Sequence, residues 1–298
     1  MARGKSITLF LMDGDVNGRM KCTLANWTGV AYKIPRTELD KCKERDDLKQ
    51  SGVYFLFGKT EESGESVVYI GQAGARKNGE GILNRLQEHK RNPEKDYWTE
   101  AIVYTTSNNS FGPTEISYLE NRFCSLAVQA KRYVVKNGNE PTPGNITEEK
   151  ESELEEFIDI AKIIMGTLGH KVFIPFVSPN PSLEVTENTA TKTDNSDELL
   201  YFDRSGIKAT GKRTSEGFVV LKDSHVSPKL VKSCPGQTLR NREKYASKVD
   251  ENFVLTEDIL FTSPSAAASY IGGASLSGNA TWHNAQGITL KNIEEKSS

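Results

Sequence analysis

The chain has 298 residues, of which 36% are hydrophobic and 26% are charged, and its formal net charge is −2. This length allows two domains with packed cores. The longest apolar runs, residues 7–12 and 53–57, are far shorter than the roughly 20 residues that cross a bilayer, and the first residues lack a signal-peptide pattern. We therefore expect a cytoplasmic protein without a membrane span.

The acidic excess is concentrated in residues 146–198, which carry 12 acidic and 4 basic side chains. The rest of the chain is neutral to mildly basic, so a local basic groove for nucleic acid and an ordinary solvated surface are both compatible with it. The four cysteines have neither the spacing of a zinc site nor that of a disulfide framework, and we expect reduced thiols.

Turn residues and hydrophobic periodicity divide the N-terminal two thirds of the chain into three parts. Residues 1–48 predict an N-terminal β extension, with strands at 6–12 and within 21–34 and a polar, helix-compatible segment at 37–48. Residues 49–176 predict one domain, with strands at 52–57, 66–70 and 100–105 and helices at 80–91, 114–135 and 146–168, the last capped by Thr147. Residues 177–198 are rich in polar and turn-forming residues and predict an exposed linker.

Residues 199–298 predict a small α+β accessory domain. Its expected elements are two paired strands, at 199–210 and 217–221, and a mostly helical basic stretch at 230–249. A short Ala-rich helix at 266–271 follows, and we expect Ser265 to cap it.

The first candidate site residues are Arg85 and His89. Positions i and i+4 of a helix share a face, so a fixed cation and a titratable imidazole point the same way. An arginine offers a planar fork for a phosphate, and a histidine can accept a proton near neutral pH. A solvated basic helix would account for the same pair without any chemistry.

Glu120 is a sharper candidate because it falls within the apolar stripe of the next predicted helix, between Ile116 and Phe123. A carboxylate in such a stripe is costly unless a cation or hydrogen bonds compensate for it. Mg²⁺ prefers oxygen ligands and often needs only one or two carboxylates. Pairing with a buried arginine or lysine is the structural alternative.

The third group consists of Tyr54 and Tyr69, each on a predicted strand and each projecting from one face of it. Considered separately, each is more often a core or edge aromatic than a catalyst. A phenol with a pKa near 10 becomes a useful base only beside a cation or another base.

Taken in order, Gly52-Val53-Tyr54 and Tyr69-Ile70-Gly71-Gln72, then Arg85, His89 and Glu120, resemble the motifs of the GIY-YIG endonuclease superfamily. The resemblance covers roughly residues 50–140, and Val53 replaces the Ile of the family name, a small volume change. It implies a three-stranded antiparallel sheet flanked by helices, within a chain of the α+β class.

The resemblance also implies roles for these side chains. Glu120 would ligate a divalent metal, Mg²⁺ or Mn²⁺, and Arg85 would stabilise the scissile phosphate. Tyr54, assisted by His89, would activate the attacking water, and Tyr69 would position water or phosphate. The family usually completes its site with an Asn after the glutamate helix; Asn137 and Asn139 are both candidates, and Asn139 is preferred.

A second resemblance concerns residues 202–282, with Phe261-Thr-Ser-Pro-Ser-Ala-Ala-Ala and Gly272-Gly273 before Trp282. They resemble the domain of unknown function often appended to bacterial GIY-YIG proteins. Several basic side chains there are candidates for phosphate contacts, with an ordinary solvated surface as the alternative. They are Lys208, Lys212, Arg213, Arg240, Arg242 and Lys244.

We therefore expect a metal-dependent endonuclease that hydrolyses phosphodiester bonds in DNA, with RNA as a further possible substrate. The competing hypothesis is a non-catalytic nucleic-acid-binding or regulatory protein that retains the fold. Restriction, repair, mobile-element and defence roles stay open, as does the oligomeric state, because site choice depends on loops and accessory domains.

Overall fold

Two compact units, Met1–Pro175 and Phe176–Ser298, make up the chain in a computed structural model. The structure describes residues 4–61, 64–74, 81–138, 141–177, 198–232 and 234–297. Both units are mixed α+β. No helix within these ranges has the length and apolar composition needed to span a bilayer.

The described part of the first unit contains seven strands, three α-helices and short 3₁₀ turns. The strands are β1 (Ile7–Leu11), β2 (Met20–Leu24), β3 (Gly29–Pro35), β4 (Gly52–Lys59), β5 (Ser66–Ala73), β6 (Trp98–Thr106) and β7 (Val134–Val135). The helices are α1 (Ile82–Arg91), α2 (Pro113–Ala130) and α3 (Glu148–Thr167). The 3₁₀ turns lie at Arg36–Cys42, Asp46–Leu48 and Pro93–Lys95.

All seven strands form one sheet in the order β1-β2-β3-β6-β4-β5-β7. The neighbours pair antiparallel, except for β5 and β7, which are parallel. The predicted three-stranded sheet corresponds to β6-β4-β5, but the sheet is larger because β3 pairs with β6 along its whole length. The N-terminal β extension is thus continuous with the central sheet.

The sheet is covered on both faces, which explains why six consecutive residues of β4, Gly52 to Phe57, are all buried. Val53 and Phe55 contribute to a core with α2 and α3. Tyr54 and Leu56 point the other way, into a core with α1 and the 3₁₀ turns. The alternation of side chains along β4 therefore sends the candidate tyrosine to the α1 face.

Helix boundaries differ from the sequence expectation where a local signal was absent. Helix α2 ends at Ala130 rather than 135, because Lys131 adopts a left-handed conformation and Val134–Val135 pairs with β5. Helix α3 begins as predicted, and the Thr147 hydroxyl accepts a hydrogen bond from the Lys150 amide. Residues 37–48, expected to be helix-compatible, form only 3₁₀ turns.

The second unit packs helices against a five-stranded antiparallel sheet with the order β11-β10-β9-β8-β12. Its strands are β8 (Leu199–Arg204), β9 (Ile207–Thr214), β10 (Gly217–Val220), β11 (Ile259–Phe261) and β12 (Trp282–His283). Its helices are α4 (Gly236–Lys244), α5 (Pro264–Gly272), α6 (Gly278–Thr281) and α7 (Leu290–Ser297). Phe202, Phe218 and Trp282 lie together in its core.

Three expectations for this unit were wrong. Residues 199–210 are not one strand, because the positive φ angles of Ser205 and Gly206 form a turn between β8 and β9. The helix predicted over 230–249 is limited to α4. Helix α5 is capped by Ser263, whose hydroxyl accepts from the Ala266 amide, whereas the Ser265 hydroxyl accepts from the Gly278 amide.

Candidate functional site

The pairing of β4 with β5 brings the two tyrosines to one face of the sheet. Tyr54 lies opposite Gly71, and Tyr69 lies two residues before that glycine. A Cβ added at Gly71 would collide with the hydroxyl and ring of Tyr54, so the Tyr54 side chain occupies the space that a side chain at position 71 would need. Position 71 therefore has to be a glycine for the Tyr54 side chain to pack as it does.

Helix α1 places His89 over these two rings. The His89 Nε2 atom lies 2.7 Å from the Tyr54 hydroxyl, in the interior. The imidazole centroid is 5.4 Å from the Tyr54 ring and 5.3 Å from the Tyr69 ring. Tyr54 is 1% exposed, His89 is 4% exposed, and Tyr69 is half-buried. The structure thus brings three of the predicted site residues together.

Burial sets the protonation states of this triplet. Desolvation, followed by the charges of Lys95 and Arg85, lowers the pKa of His89 to about 4, so the imidazole is neutral near pH 7. Burial raises the pKa of Tyr54, and Tyr69 adds to this effect while Arg85 opposes it. Burial also raises the pKa of Tyr69. At neutral pH both phenols are therefore protonated and the imidazole can accept a proton.

Arg85 lies one helical turn before His89 and borders a cavity of ≈ 270 Å³. Its Nη1 donates to Glu88 Oε2 at 2.6 Å, and this bond raises the pKa of the guanidinium. The Arg85 side chain is 40% exposed. The other residues lining the cavity come from the end of β5 and the start of α1: Gln72, Ala73, Gly74, Gly81 and Asn84.

Glu120 comes from α2, on the other face of the sheet. Ile116 and Phe123 are buried beside it, as the predicted stripe requires, and Glu120 itself is half-buried. The Gln72 side-chain amide donates to Glu120 Oε2 at 2.9 Å. Burial raises the pKa of Glu120, whereas Gln72 and the charge of Arg85 oppose that rise. No lysine or arginine of the described chain forms an ion pair with it, so the expected structural alternative is absent there.

The two halves of the site meet at β5. Tyr69 and Gly71 face α1, whereas Gln72 faces α2 and holds Glu120. On the side away from β4, β5 pairs among the described residues only with the two residues of β7. The charge of Arg85 lowers the pKa of Glu120. The charge of Arg85 also lowers the pKa of Tyr54 and of Tyr69, whereas the charge of Glu120 raises both.

The chemistry of the donors is compatible with a single hydrated divalent cation. No group of three or more His, Cys, Asp or Glu side chains in the described ranges could hold a metal ion. A hydrated Mg²⁺ needs fewer protein ligands, because waters and substrate phosphate complete its octahedral shell. Glu120, with one carboxylate oxygen fixed by Gln72, can supply such a protein ligand.

The structure assigns a structural contact to one of the two Asn candidates. The Asn137 amide donates to the Ile70 carbonyl at 2.7 Å, and its side-chain oxygen accepts from the Ile70 amide at 3.1 Å. The two polar ends of the Asn137 side chain thus extend the β5–β7 pairing, because they hydrogen-bond the backbone amide and carbonyl of Ile70 at the edge of β5. Asn139, the preferred candidate, lies outside the described residues.

Sequence reasoning did not assign roles to Gln72, Glu88 and Lys95. Gln72 was visible as the residue after the second tripeptide, and Glu88 lies three residues after Arg85, a spacing that favours helical ion pairs. Lys95 Nζ lies 3.3 Å from the centroid of the Tyr69 ring. No local pattern indicated this contact, because Lys95 reaches the site only through the turn that follows α1.

The basic candidates of the second unit are partly committed to protein contacts. Arg242 donates to the backbone carbonyls of Ser227 and Tyr270 and lies 5.0 Å from the Tyr270 ring centroid. Lys212 is 6% exposed, and Arg213 pairs with Glu294. Arg242 and Lys212 are thereby poorly placed for phosphate contacts.

Comparisons with known proteins identify one region of the chain. Residues 200–294 match a family model described as Domain of unknown function (DUF4357), which confirms that a domain of unknown function lies in this region. The match covers 95 of the 298 residues, and the GIY-YIG family is not matched. No curated protein and no solved structure matches the chain.

Proposed function

We propose that the first unit is a metal-dependent endonuclease of the GIY-YIG type that hydrolyses phosphodiester bonds in DNA. The observation that carries this proposal is the 2.7 Å contact between Tyr54 and His89, together with the charges of Arg85 and Glu120, which both act on the pKa of Tyr54. A proton acceptor, a fixed cation and a carboxylate that can hold a metal ion together supply general base catalysis and charge stabilisation for the hydrolysis of a phosphodiester.

Arg85 is the proposed ligand of the scissile phosphate. Its guanidinium borders the cavity, and its pairing with Glu88 holds the side chain in place. A pentavalent transition state gains negative charge on its oxygens, so a fixed guanidinium stabilises it more than the ground state.

Tyr54 and His89 are proposed to remove the proton from the attacking water. In the tautomer with the proton on Nδ1, His89 Nε2 accepts the Tyr54 proton while the Tyr54 oxygen accepts one from water. The neutral imidazole required for this relay is present near pH 7 because burial lowers the pKa of His89 to about 4. Tyr54 is almost fully buried, so this water would lie on its Arg85 side.

Glu120 is the proposed protein ligand of a divalent cation, Mg²⁺ or Mn²⁺. The bound cation would supply Lewis acidity, which offsets charge on the phosphate and leaving oxygens. The Gln72 side-chain amide keeps the carboxylate oriented through its contact with Oε2.

The alternative is a non-catalytic nucleic-acid-binding or regulatory protein with the same fold. A purely structural site has no need for a half-buried Glu120 whose pKa is raised by desolvation. The choice of DNA over RNA depends on the resemblance alone, so RNA cleavage is a separate outcome of the test below.

The test is metal-dependent nicking of supercoiled plasmid and of labelled RNA by the full chain. We expect nicking with Mg²⁺ or Mn²⁺, none with EDTA, and none from Arg85→Ala or Glu120→Ala at unchanged circular dichroism. The matched control is Arg122→Ala, which removes a guanidinium of α2 that pairs with Glu155 of α3. Undiminished nicking by either site variant would refute the assignment. Cleavage of RNA alone would show that RNA, not DNA, is the substrate.

A further inference from the structure

The turn after α1 brings a second cation to the candidate site. Lys95 is half-buried, and its Nζ lies over the face of the Tyr69 ring, 3.3 Å from the centroid. Tyr69 lies on the same sheet face as Tyr54 and His89. Lys95 therefore stands beside the residues that would handle the water and the phosphate.

The carboxylates around Lys95 are engaged elsewhere. Glu88 accepts from Arg85, and Asp96 pairs with Arg36 at 2.7 Å. Within the described ranges, no carboxylate lies within ion-pair distance of Lys95. Burial, and then the charge of Arg85, lowers the pKa of Lys95 to about 8. The structure thus keeps Lys95 close enough to Arg85 for the two positive charges to repel each other.

The contact with Tyr69 stabilises the lysine only in part. A cation over an aromatic face contributes roughly 0.5–2 kcal/mol, depending on its solvation. The aromatic face accepts along one direction, whereas an ammonium carries three N–H donors. The ring also cancels none of the positive charge, so an anion at this position would relieve the repulsion between Lys95 and Arg85.

We propose that Lys95 binds a second phosphate of the nucleic-acid strand, next to the one held by Arg85. The subsite consists of the Lys95 ammonium on the Tyr69 ring, with Arg85 as its neighbour on α1. A nucleic-acid backbone presents such phosphates in series, whereas a mononucleotide would fill only one position. This inference rests on the proposed function for its ligand class, a phosphodiester chain, but not for cleavage.

The test measures binding of the full chain to a short fluorescein-labelled DNA duplex in EDTA, from about 50 to 200 mM KCl. The plot of log K against log salt has a negative slope, and the loss of one phosphate contact reduces its magnitude by about 0.9 for a duplex and about 0.7 for a single strand. We expect this decrease for Lys95→Gln. Lys95→Arg keeps the positive charge and should have the slope of the wild type. Thermal unfolding of each variant checks that the fold is retained.

The matched control is Lys162→Gln. Lys162 is also partly exposed, but it pairs with Asp159 on α3, on the other face of the sheet. Its slope should equal that of the wild type. An equal slope for Lys95→Gln would overturn the subsite, and so would the absence of saturable binding by the wild type.

Failure of this inference and failure of the proposed function give different results. A slope change at Lys95 without metal-dependent nicking would retain the phosphate subsite and reject the nuclease. Nicking that depends on Glu120, with no slope change at Lys95, would retain the nuclease and reject the subsite.

Discussion

The Tyr54 hydroxyl lies 2.7 Å from His89 Nε2, in the interior between β4 and α1. The contact joins residues 35 positions apart, and both side chains are at most 4% exposed. A buried phenol beside a neutral imidazole can pass its proton to the imidazole and take one from water, and the buried imidazolium that results is a charge that desolvation penalises.

Substitution of Tyr54 by Phe should abolish nicking while retaining the fold. The variant removes the hydroxyl that relays the proton, and general acid–base steps contribute about 10²–10⁴-fold to rates. Single-turnover nicking measures the loss. The control is Tyr104→Phe, which removes a buried hydroxyl that donates to the Ala161 carbonyl on the other sheet face. Wild-type nicking by Tyr54→Phe would transfer the role to half-buried Tyr69.

The Gly71→Ala variant should lose both stability and activity. Its methyl group would collide with the hydroxyl and ring of Tyr54, and overpacking of this kind costs about 1–3 kcal/mol. Urea unfolding measures the first effect and nicking the second. Gly138→Ala is the control, because a Cβ there meets no atom within 4 Å. An unchanged midpoint for Gly71→Ala would contradict the packing of Tyr54 against β5.

The free energy of unfolding should fall as the pH is lowered from 6.5 to about 4. In that window the unfolded state protonates His89, whereas native His89, with its pKa near 4, does not, so protons favour unfolding. The contribution is on the order of 2–3 kcal/mol. His89→Gln should have a shallower pH dependence in urea titrations. If the free energy of unfolding varied with pH equally in the wild type and in His89→Gln, His89 would be solvated in the native state.

The Glu120→Gln variant should be inactive and more stable at pH 7. Burial raises the pKa of Glu120, so the charged form costs stability once the pH exceeds the ordinary value, and an amide avoids this cost. Thermal unfolding with and without Mg²⁺ measures the change. Glu155→Gln should be less stable than the wild type at pH 7, because Arg122 holds the pKa of that carboxyl below its ordinary value. Lower stability of Glu120→Gln would indicate an unrecognised cationic partner.

The two Asn candidates should separate by phenotype. Asn137→Ala removes both hydrogen bonds to Ile70 and should cost about 1–3 kcal/mol while nicking persists. Asn139→Ala should reduce nicking without a comparable loss of stability. The reverse pattern in unfolding and nicking assays would move the catalytic role to Asn137.

The sequence alone predicted the strands that carry Tyr54 and Tyr69, the helix that carries Arg85 and His89, and the burial of the Glu120 stripe. These features follow from periodicities of two and 3.6 residues, which act within a few positions of the chain. The Thr147 cap was predictable for the same reason, since it depends on the next turn only.

Only the tertiary structure decided how these pieces meet. The continuity of β1–β3 with the central sheet depends on pairing between β3 and β6, some seventy residues apart, which no local pattern encodes. The same holds for Gln72 on Glu120, for Asn137 on Ile70 and for Lys95 on the Tyr69 ring. Each contact depends on which strand forms the sheet edge and on where a turn ends, and those are set by packing of the whole unit.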